Sequence, residues 1–115
     1  MCRLAIALLG LLLVVAGAQA AARKGIRFWN LTSSTVTKLQ LAPAGTQTFG
    51  PDQCRNDPDG AVDHDERLRL VGVAPGRYDV KLADKAGRVC VVRDLTLEDD
   101  KVFSIRDADL TDCGH

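Results

Sequence analysis

This sequence has few aromatic residues, few histidines and no formal net charge. Only 4% of its 115 residues are aromatic, its two histidines are His64 and His115, and 15 lysines and arginines balance 15 aspartates and glutamates. The neutral balance, with no basic stripe along the chain, argues against electrostatic binding of nucleic acid, because phosphate recognition needs concentrated positive charge. No serine lies in a nucleophile elbow. The sequence therefore predicts a protein that is not an enzyme and does not bind nucleic acid.

A long apolar run occurs only at the start of the chain, within residues 1–22. Arg3 supplies a short basic start, residues 4–15 are almost entirely apolar, and Ala18-Gln19-Ala20 is a small-x-small site. This order of basic start, apolar run and cleavage site is the layout of a secretory signal peptide. We predict a signal peptide over residues 1–20 that is cleaved after export.

An uncleaved membrane anchor is the alternative interpretation, because residues 4–22 are nearly long enough to span a bilayer. Arg23 and Lys24, just downstream, give no positive-inside asymmetry that would hold such an anchor. We therefore predict that residues 21–115 form the mature domain. It is expected to be periplasmic or secreted and to keep no stable membrane span.

Cysteine is also sparse. Cleavage removes Cys2 and leaves Cys54, Cys90 and Cys113. An oxidising compartment favours one disulfide among these three residues, and any of three pairings is open. Cys113 lies beyond the last predicted strand, where a bond to Cys90 or Cys54 would hold the chain end. We predict the Cys90–Cys113 bond, with Cys90 as a buried free thiol as the alternative.

Short alternating apolar runs separated by turn signals fill the chain from Gly25 onward. A turn signal about every 8–12 residues is typical of an all-β sandwich or barrel. We predict a single all-β domain, a Greek-key or immunoglobulin-like sandwich of about seven short strands. The predicted strands cover residues 25–31, 35–41, 67–73, 78–82, 88–93 with a continuation past a bulge to 95–97, and 102–106.

The same alternation predicts which side chains form the core and how the first strands connect. The link at residues 32–34 has the length of a hairpin connection. Residues 84–87 predict a second turn. The predicted core consists of Phe28, Val36, Leu39 or Leu41, Leu68, Leu70, Tyr78, Val80, Leu82, Val89, Val91 and Phe103.

An acidic loop, residues 50–66, separates the two strand-rich blocks and holds six acidic side chains against one basic. With Gly60 at the sixth place, it partly resembles the twelve-residue EF-hand calcium loop. Arg55 departs from that pattern, because the first place requires an oxygen ligand. Asn56 is a substitute oxygen donor. The predicted calcium ligands are Asn56, Asp57, Asp59, Asp63 and Glu66.

Three other interpretations of the acidic loop stay open. Asp, Asn, Gly and Pro are the residues that turns prefer, so the loop is alternatively a plain solvated connection. His64, with Cys54 nearby, suggests a transition-metal site, although their spacing matches no recognised ligand motif. The acidic side chains also suit a basic protein partner, such as an envelope enzyme that the domain would inhibit or assist.

Four stretches of the mature chain resemble a group of small exported bacterial proteins with one β-sandwich domain and no assigned activity. They are Phe28-Trp29-Asn30-Leu31-Thr32, residues 41–45, Phe49-Gly50-Pro51-Asp52 and residues 75–81. The resemblance implies a periplasmic or secreted setting and names no catalytic residue. The cysteine positions and the acidic loop depart from the group. The expected function is that of an exported, non-catalytic module that binds a protein partner or a small ligand.

Overall fold

Seven strands in two sheets form the structure, a computed structural model that describes Lys24–Gly114. The strands are β1 (Arg27–Leu31), β2 (Val36–Pro43), β3 (Arg67–Arg69), β4 (Gly76–Asp84), β5 (Val89–Leu97), β6 (Val102–Arg106) and β7 (Cys113–Gly114). Short 3-10 helices cover Gln53–Asn56 and Asp107–Asp109. The predicted all-β sandwich is confirmed. The predicted signal peptide lies outside the described residues, and within them no helix is long and apolar enough to cross a membrane.

Sheet A contains the strands β3, β1 and β6 in that order, and sheet B contains β2, β4, β5 and β7. In sheet A, β1 runs antiparallel to β3 and parallel to β6, with Phe28 opposite both Leu68 and Phe103. The rings of Phe28 and Phe103 have centroids 5.5 Å apart. All neighbouring strands in sheet B are antiparallel.

The chain crosses between the sheets at every connection except the turn from β4 to β5. The predicted turn at residues 84–87 is confirmed by the hydrogen bond from Gly87 N to Asp84 O, 3.1 Å. The predicted hairpin at residues 32–34 is wrong, because β1 and β2 belong to different sheets. Buried Asn30 turns the chain there, donating from Nδ2 to Ser34 O and to Val62 O, both at 2.9 Å.

The inner faces of the two sheets form one apolar core. Leu39 and Leu41 are both buried, so the two alternatives offered for β2 are both correct. Val89 and Val91, predicted in the core, point outward instead, and Val89 is 38% exposed. Further buried members that the prediction omitted are Ile26, Cys54, Val62, Cys90, Val92, Leu97 and Ile105.

Register explains the error in β5. The turn from β4 places Leu82 opposite Cys90 and Val80 opposite Val92. Because side chains alternate between the faces of a strand, the inward direction of Leu82 and Val80 turns their partners inward too. Because β5 has apolar residues on both faces, its sequence alone does not show which face is buried.

The disulfide joins Cys90 to Cys113, as predicted. It holds the two-residue strand β7 against β5, where Val91 N also donates to Asp112 O at 2.9 Å. The bond therefore covers part of the β5 edge with the end of the chain. Cys54 is a free, buried thiol.

Candidate functional site

The acidic loop is folded onto the sandwich rather than simply solvated. Asp52 Oδ1 caps its 3-10 helix by accepting from Cys54 N at 3.0 Å, and accepts from Leu39 N at 2.9 Å. Val62 pairs with Val36 through two backbone hydrogen bonds of 2.8 and 2.9 Å. The side chains of Cys54 and Val62 are fully buried. The loop thus contributes two apolar side chains to the core.

The predicted calcium ligands are engaged with neighbouring protein groups. Asp57 Oδ1 accepts from Asp59 N at 2.7 Å, Asp63 Oδ1 accepts from the Thr35 hydroxyl at 2.9 Å, and Glu66 Oε2 accepts from Asp63 N at 3.2 Å.

Asn56 Nδ2 donates to Gln53 Oε1 at 2.7 Å, so the side chain chosen as a substitute oxygen ligand is held by its own helix. Within residues 24–114, no three His, Cys, Asp or Glu side chains converge to hold a metal ion. Calcium binding stays a prediction, which a calorimetric calcium titration tests. Absence of binding heat and of any change in melting midpoint with chelator would contradict it.

His64 and Cys54, the predicted transition-metal ligands, each have a protein partner. His64 Nδ1 lies 2.7 Å from Thr32 O. Cys54 Sγ lies 3.8 Å from Val36 O, and burial, assisted by the charge of Asp52, raises the pKa of its thiol to about 12. A metal requires the thiolate, which this environment disfavours. The transition-metal hypothesis likewise stays a prediction.

A basic surface covers the outer face of sheet A. Alternation along β1 directs Arg27, Trp29 and Leu31 outward, because Phe28 and Asn30 are buried. Strand pairing then adds side chains from distant parts of the chain: Arg69 lies opposite Arg27, Arg67 opposite Trp29, and Arg106 beside Leu31. We call this surface the arginine face; it consists of Arg27, Arg67, Arg69, Arg106 and Trp29.

The four guanidinium groups of the arginine face form no ion pair with any carboxylate of the described chain. Arginines elsewhere behave differently. Arg77 pairs with Asp94, Arg88 Nε lies 2.9 Å from Asp84 Oδ2, and Arg93 Nη2 lies 3.0 Å from Asp112 Oδ2. The arginine face is therefore a local concentration of positive charge on a molecule of balanced composition.

Trp29 orients the neighbouring Arg67. The guanidinium carbon of Arg67 lies 4.2 Å from the centroid of the indole ring, which is a cation–π contact. The indole is itself held, since its Nε1 donates to Asp65 Oδ1 at 3.0 Å. Asp65 adopts a φ of 69°, an uncommon left-handed conformation for a residue other than glycine.

Arg27 and Arg69 lie next to each other at the other end of the face. Arg27 Nη2 donates to Asp100 O at 3.1 Å, while Arg27 Nε is buried and has no acceptor among the described residues. Arg69 crosses above Gly25, where the Cβ of any larger residue would lie 3.1 Å from Arg69 Nε. Gly25 also has a φ of 68°, so glycine suits both the backbone and the packing at this position.

The lack of a basic stripe along the chain does not exclude the arginine face, because β1, β3 and β6 assemble that face from three separate segments. The sequence did contain one signal of this face. Arg67 and Arg69 flank the buried Leu68. Arg27 and Trp29 flank the buried Phe28 in the same way. Strand pairing was needed to bring the two patterns together.

The arginine face lies on the outer side of the three-stranded sheet A. Surface depressions of about 220–620 Å³ occur on other parts of the described surface, and none of them is lined by an arginine of this face.

Comparison of the chain with protein-family models, with curated proteins and with solved structures finds no match.

Proposed function

We propose that this chain is an exported, non-catalytic binding domain whose arginine face binds a linear polymer carrying oxyanion groups. The observation that supports the proposal is the set of four guanidinium groups on one sheet face without a carboxylate partner in the described chain. Like charges gathered on one face repel each other, and an anionic ligand relieves that repulsion. Arginine suits this role because its planar donors match carboxylate, sulfate and phosphate groups.

The shape of the face favours an extended chain over a small molecule. Three strands span about 10 Å across, and the path from Arg27 to Leu31 along β1 is about 13 Å long. A strip of these dimensions accommodates one polymer strand lying on it. A buried small-molecule ligand would need a concave site.

The apolar groups of the face argue against a membrane as the ligand. Trp29 is half-buried beneath Arg67, Leu31 is half-buried, and Val102 at the margin is 39% exposed. Peripheral membrane binding uses apolar side chains that project into the lipid boundary together with the basic charge. This face offers the charge without such projecting groups.

The setting of the domain is part of the proposal. A disulfide is compatible with an oxidising compartment, and the predicted signal peptide directs the chain there. Envelopes and extracellular matrices present acidic polymers to exported domains. The acidic loop as a docking site for a basic envelope enzyme stays an alternative proposal, tested by the binding of such an enzyme to an Asp57→Asn/Asp59→Asn variant.

Dextran derivatives test the proposed function with a constant backbone. Dextran sulfate, carboxymethyl dextran and uncharged dextran are titrated against the exported protein at several salt concentrations. We expect both anionic polymers to bind, with affinity that falls as salt rises, and uncharged dextran not to bind.

The decisive variants remove equal charge from two faces. We expect Arg67→Gln/Arg69→Gln to weaken binding about tenfold or more, through two lost charge-assisted contacts. The matched control Lys38→Gln/Lys85→Gln removes the same charge from exposed positions elsewhere and should change affinity far less. Equal losses in both double variants would contradict the proposal, as would binding to phosphatidylglycerol vesicles but to neither anionic polymer.

A further inference from the structure

We infer that the outer face of sheet B carries a second site, which binds a small amphipathic anion, an alkyl carboxylate. This site lies on a different sheet from the arginine face and does not rest on the proposed function. Two of the surface depressions, of about 320 and 310 Å³, lie here and share Lys81 in their linings. Each has the volume of a small-ligand site, for which about 300 Å³ is the lower end.

Strand pairing places the floor of this site in two adjacent rows across β2, β4 and β5. The rows consist of Gln40, Lys81 and Val91, and of Lys38, Ala83 and Val89. Lys81 and Ala83 face outward because they alternate with the buried Val80 and Leu82. The two rows are two residues apart along each strand, which is about 7 Å. A short ligand can therefore contact both rows.

The depression over the second row is apolar. Carbon atoms form most of its surface, because Lys38 and Lys81 contribute their aliphatic stems beside Ala83 and Val89. Val89 is 38% exposed and is one of the few large apolar side chains on the described surface. An alkyl chain lying here would remove these groups from water, which is favourable.

The depression over the first row supplies positive charge. The Nζ atom of Lys81 lies 5.4 Å from the centroid of the Phe49 ring, so the ammonium is next to this depression. Lys81 has no carboxylate partner among the described residues. Arg93, at the margin, is already paired with Asp112 at 3.0 Å. Because an aromatic ring does not neutralise a cation, the charge of Lys81 stays available to an anion.

The segment just before the acidic loop forms a wall of the charged depression. Gly50 N donates to Leu41 O at 2.9 Å, and Gln40 Nε2 donates to Gly50 O at 3.1 Å. These bonds fasten the segment to β2 and keep Phe49 beside Lys81. The wall exists before a ligand arrives, so less conformational freedom is lost on binding.

Charge and polarity together select the ligand. A carboxylate head complements the Lys81 ammonium, and an alkyl chain complements the apolar depression about 7 Å away along the strands. A simple anion would leave the apolar part uncovered, and a neutral alkyl compound would leave the ammonium without a partner. An alkyl carboxylate satisfies both parts.

Titrations followed by NMR chemical shifts test the site with three ligands. Decanoate carries both parts, acetate carries the same head without the chain, and decyltrimethylammonium carries the same chain with the opposite charge. We expect decanoate, below its micelle-forming concentration, to shift the signals of Phe49, Val89 and Val91 in a saturable way. Equal binding of acetate or of decyltrimethylammonium would overturn the inference, as would the absence of any saturable shift with decanoate.

Two substitutions each remove one part of the site. Lys81→Met removes the ammonium and keeps an unbranched apolar stem, so it should weaken decanoate binding about tenfold. Val89→Thr places a hydroxyl in the apolar depression and should weaken binding severalfold. The matched controls Lys101→Met and Val71→Thr make the same changes at exposed positions outside the site and should bind decanoate like the wild type.

The arginine face provides an independent control. Arg67→Gln/Arg69→Gln should bind decanoate with unchanged affinity, and Lys81→Met should bind dextran sulfate with unchanged affinity, so either proposal can fail without the other. Full decanoate binding in Lys81→Met, or its loss in Arg67→Gln/Arg69→Gln, would overturn the second site. Thermal melts of each variant confirm that it is folded.

Discussion

The buried carboxylate of Asp79 accepts a hydrogen bond from the backbone N–H of Asp94, Oδ1 to N, at 2.9 Å. Asp94 lies in a bulge of β5, where Arg93 and Asp94 together occupy the space opposite Asp79, and it has a φ of 63°. Asp79 Oδ2 also accepts from Gly45 N at 3.1 Å, just after β2. One side chain thus joins β4 to β5 and to the turn that follows β2.

Replacing Asp79 with alanine should destabilise the domain by about 2–4 kcal/mol, because two backbone N–H groups lose their acceptor. Asp79→Asn keeps one acceptor oxygen and should cost less. Urea unfolding at neutral pH measures both changes. An Asp79→Ala variant with the unfolding midpoint of the wild type would show that water replaces the carboxylate at both N–H groups.

The Cys90–Cys113 bond should contribute about 3 kcal/mol to stability, since it closes a loop with a sequence separation of 23 in the unfolded chain. Unfolding with and without reductant measures this contribution. Reduction should also speed hydrogen exchange at Val91 N, whose partner Asp112 O lies next to Cys113. The effect should persist in Cys54→Ala, because Cys54 takes no part in the bond. Equal midpoints in both redox states would contradict the prediction.

The buried thiol of Cys54 should make the domain less stable at alkaline pH. Its pKa is raised to about 12 from an ordinary value of 9.0, so above about pH 9 the unfolded chain loses the thiol proton while the folded chain keeps it. Stability therefore falls as pH rises through this window, by up to about 1.4 kcal/mol per pH unit.

The Cys54→Ala variant isolates that contribution, because every other titrating group is unchanged. The stability difference between wild type and variant should shrink as pH rises from about 8 to about 11. Parallel pH profiles would show that the thiol ionises equally in both states. As a second readout, mass spectrometry should find Cys54 alkylated only after unfolding.

Val62 should anchor the acidic loop. Val62→Ala should cost about 2 kcal/mol, because a fully buried side chain is shortened beside Val36. The control Asp59→Ala removes an exposed carboxylate from the same loop and should change stability by less than about 0.5 kcal/mol. Limited proteolysis should cut the loop faster in Val62→Ala. Equal stability of the two variants would mean that the loop is only loosely attached.

Alternation allowed part of the fold to be predicted. Val80 and Leu82 face inward as expected because the polar Lys81 lies between them, and the two-residue pleat leaves one solution. The prediction that Val89 and Val91 are buried was wrong, because β5 has apolar residues on both faces and its sequence therefore fits either register. The prediction of a hairpin at residues 32–34 was wrong, because a connection of this length suits a hairpin and a corner between two sheets equally.

The candidate site was harder to predict than the fold. The acidic loop stood out because its charge is contiguous along the chain, yet its carboxylates bond to neighbouring protein groups. The arginine face went unnoticed because its charges are separated by tens of residues. Only the pairing of β1 with β3 and β6 makes them neighbours.

The sequence by itself determined the all-β class, the turn at residues 84–87 and the cysteine best placed to hold the chain end. These properties depend on local alternation, turn residues and position along the chain. The tertiary structure alone decided which strands pair, which face of β5 is buried and where the arginines gather. Those choices depend on packing between distant segments, whose free energy no local pattern contains.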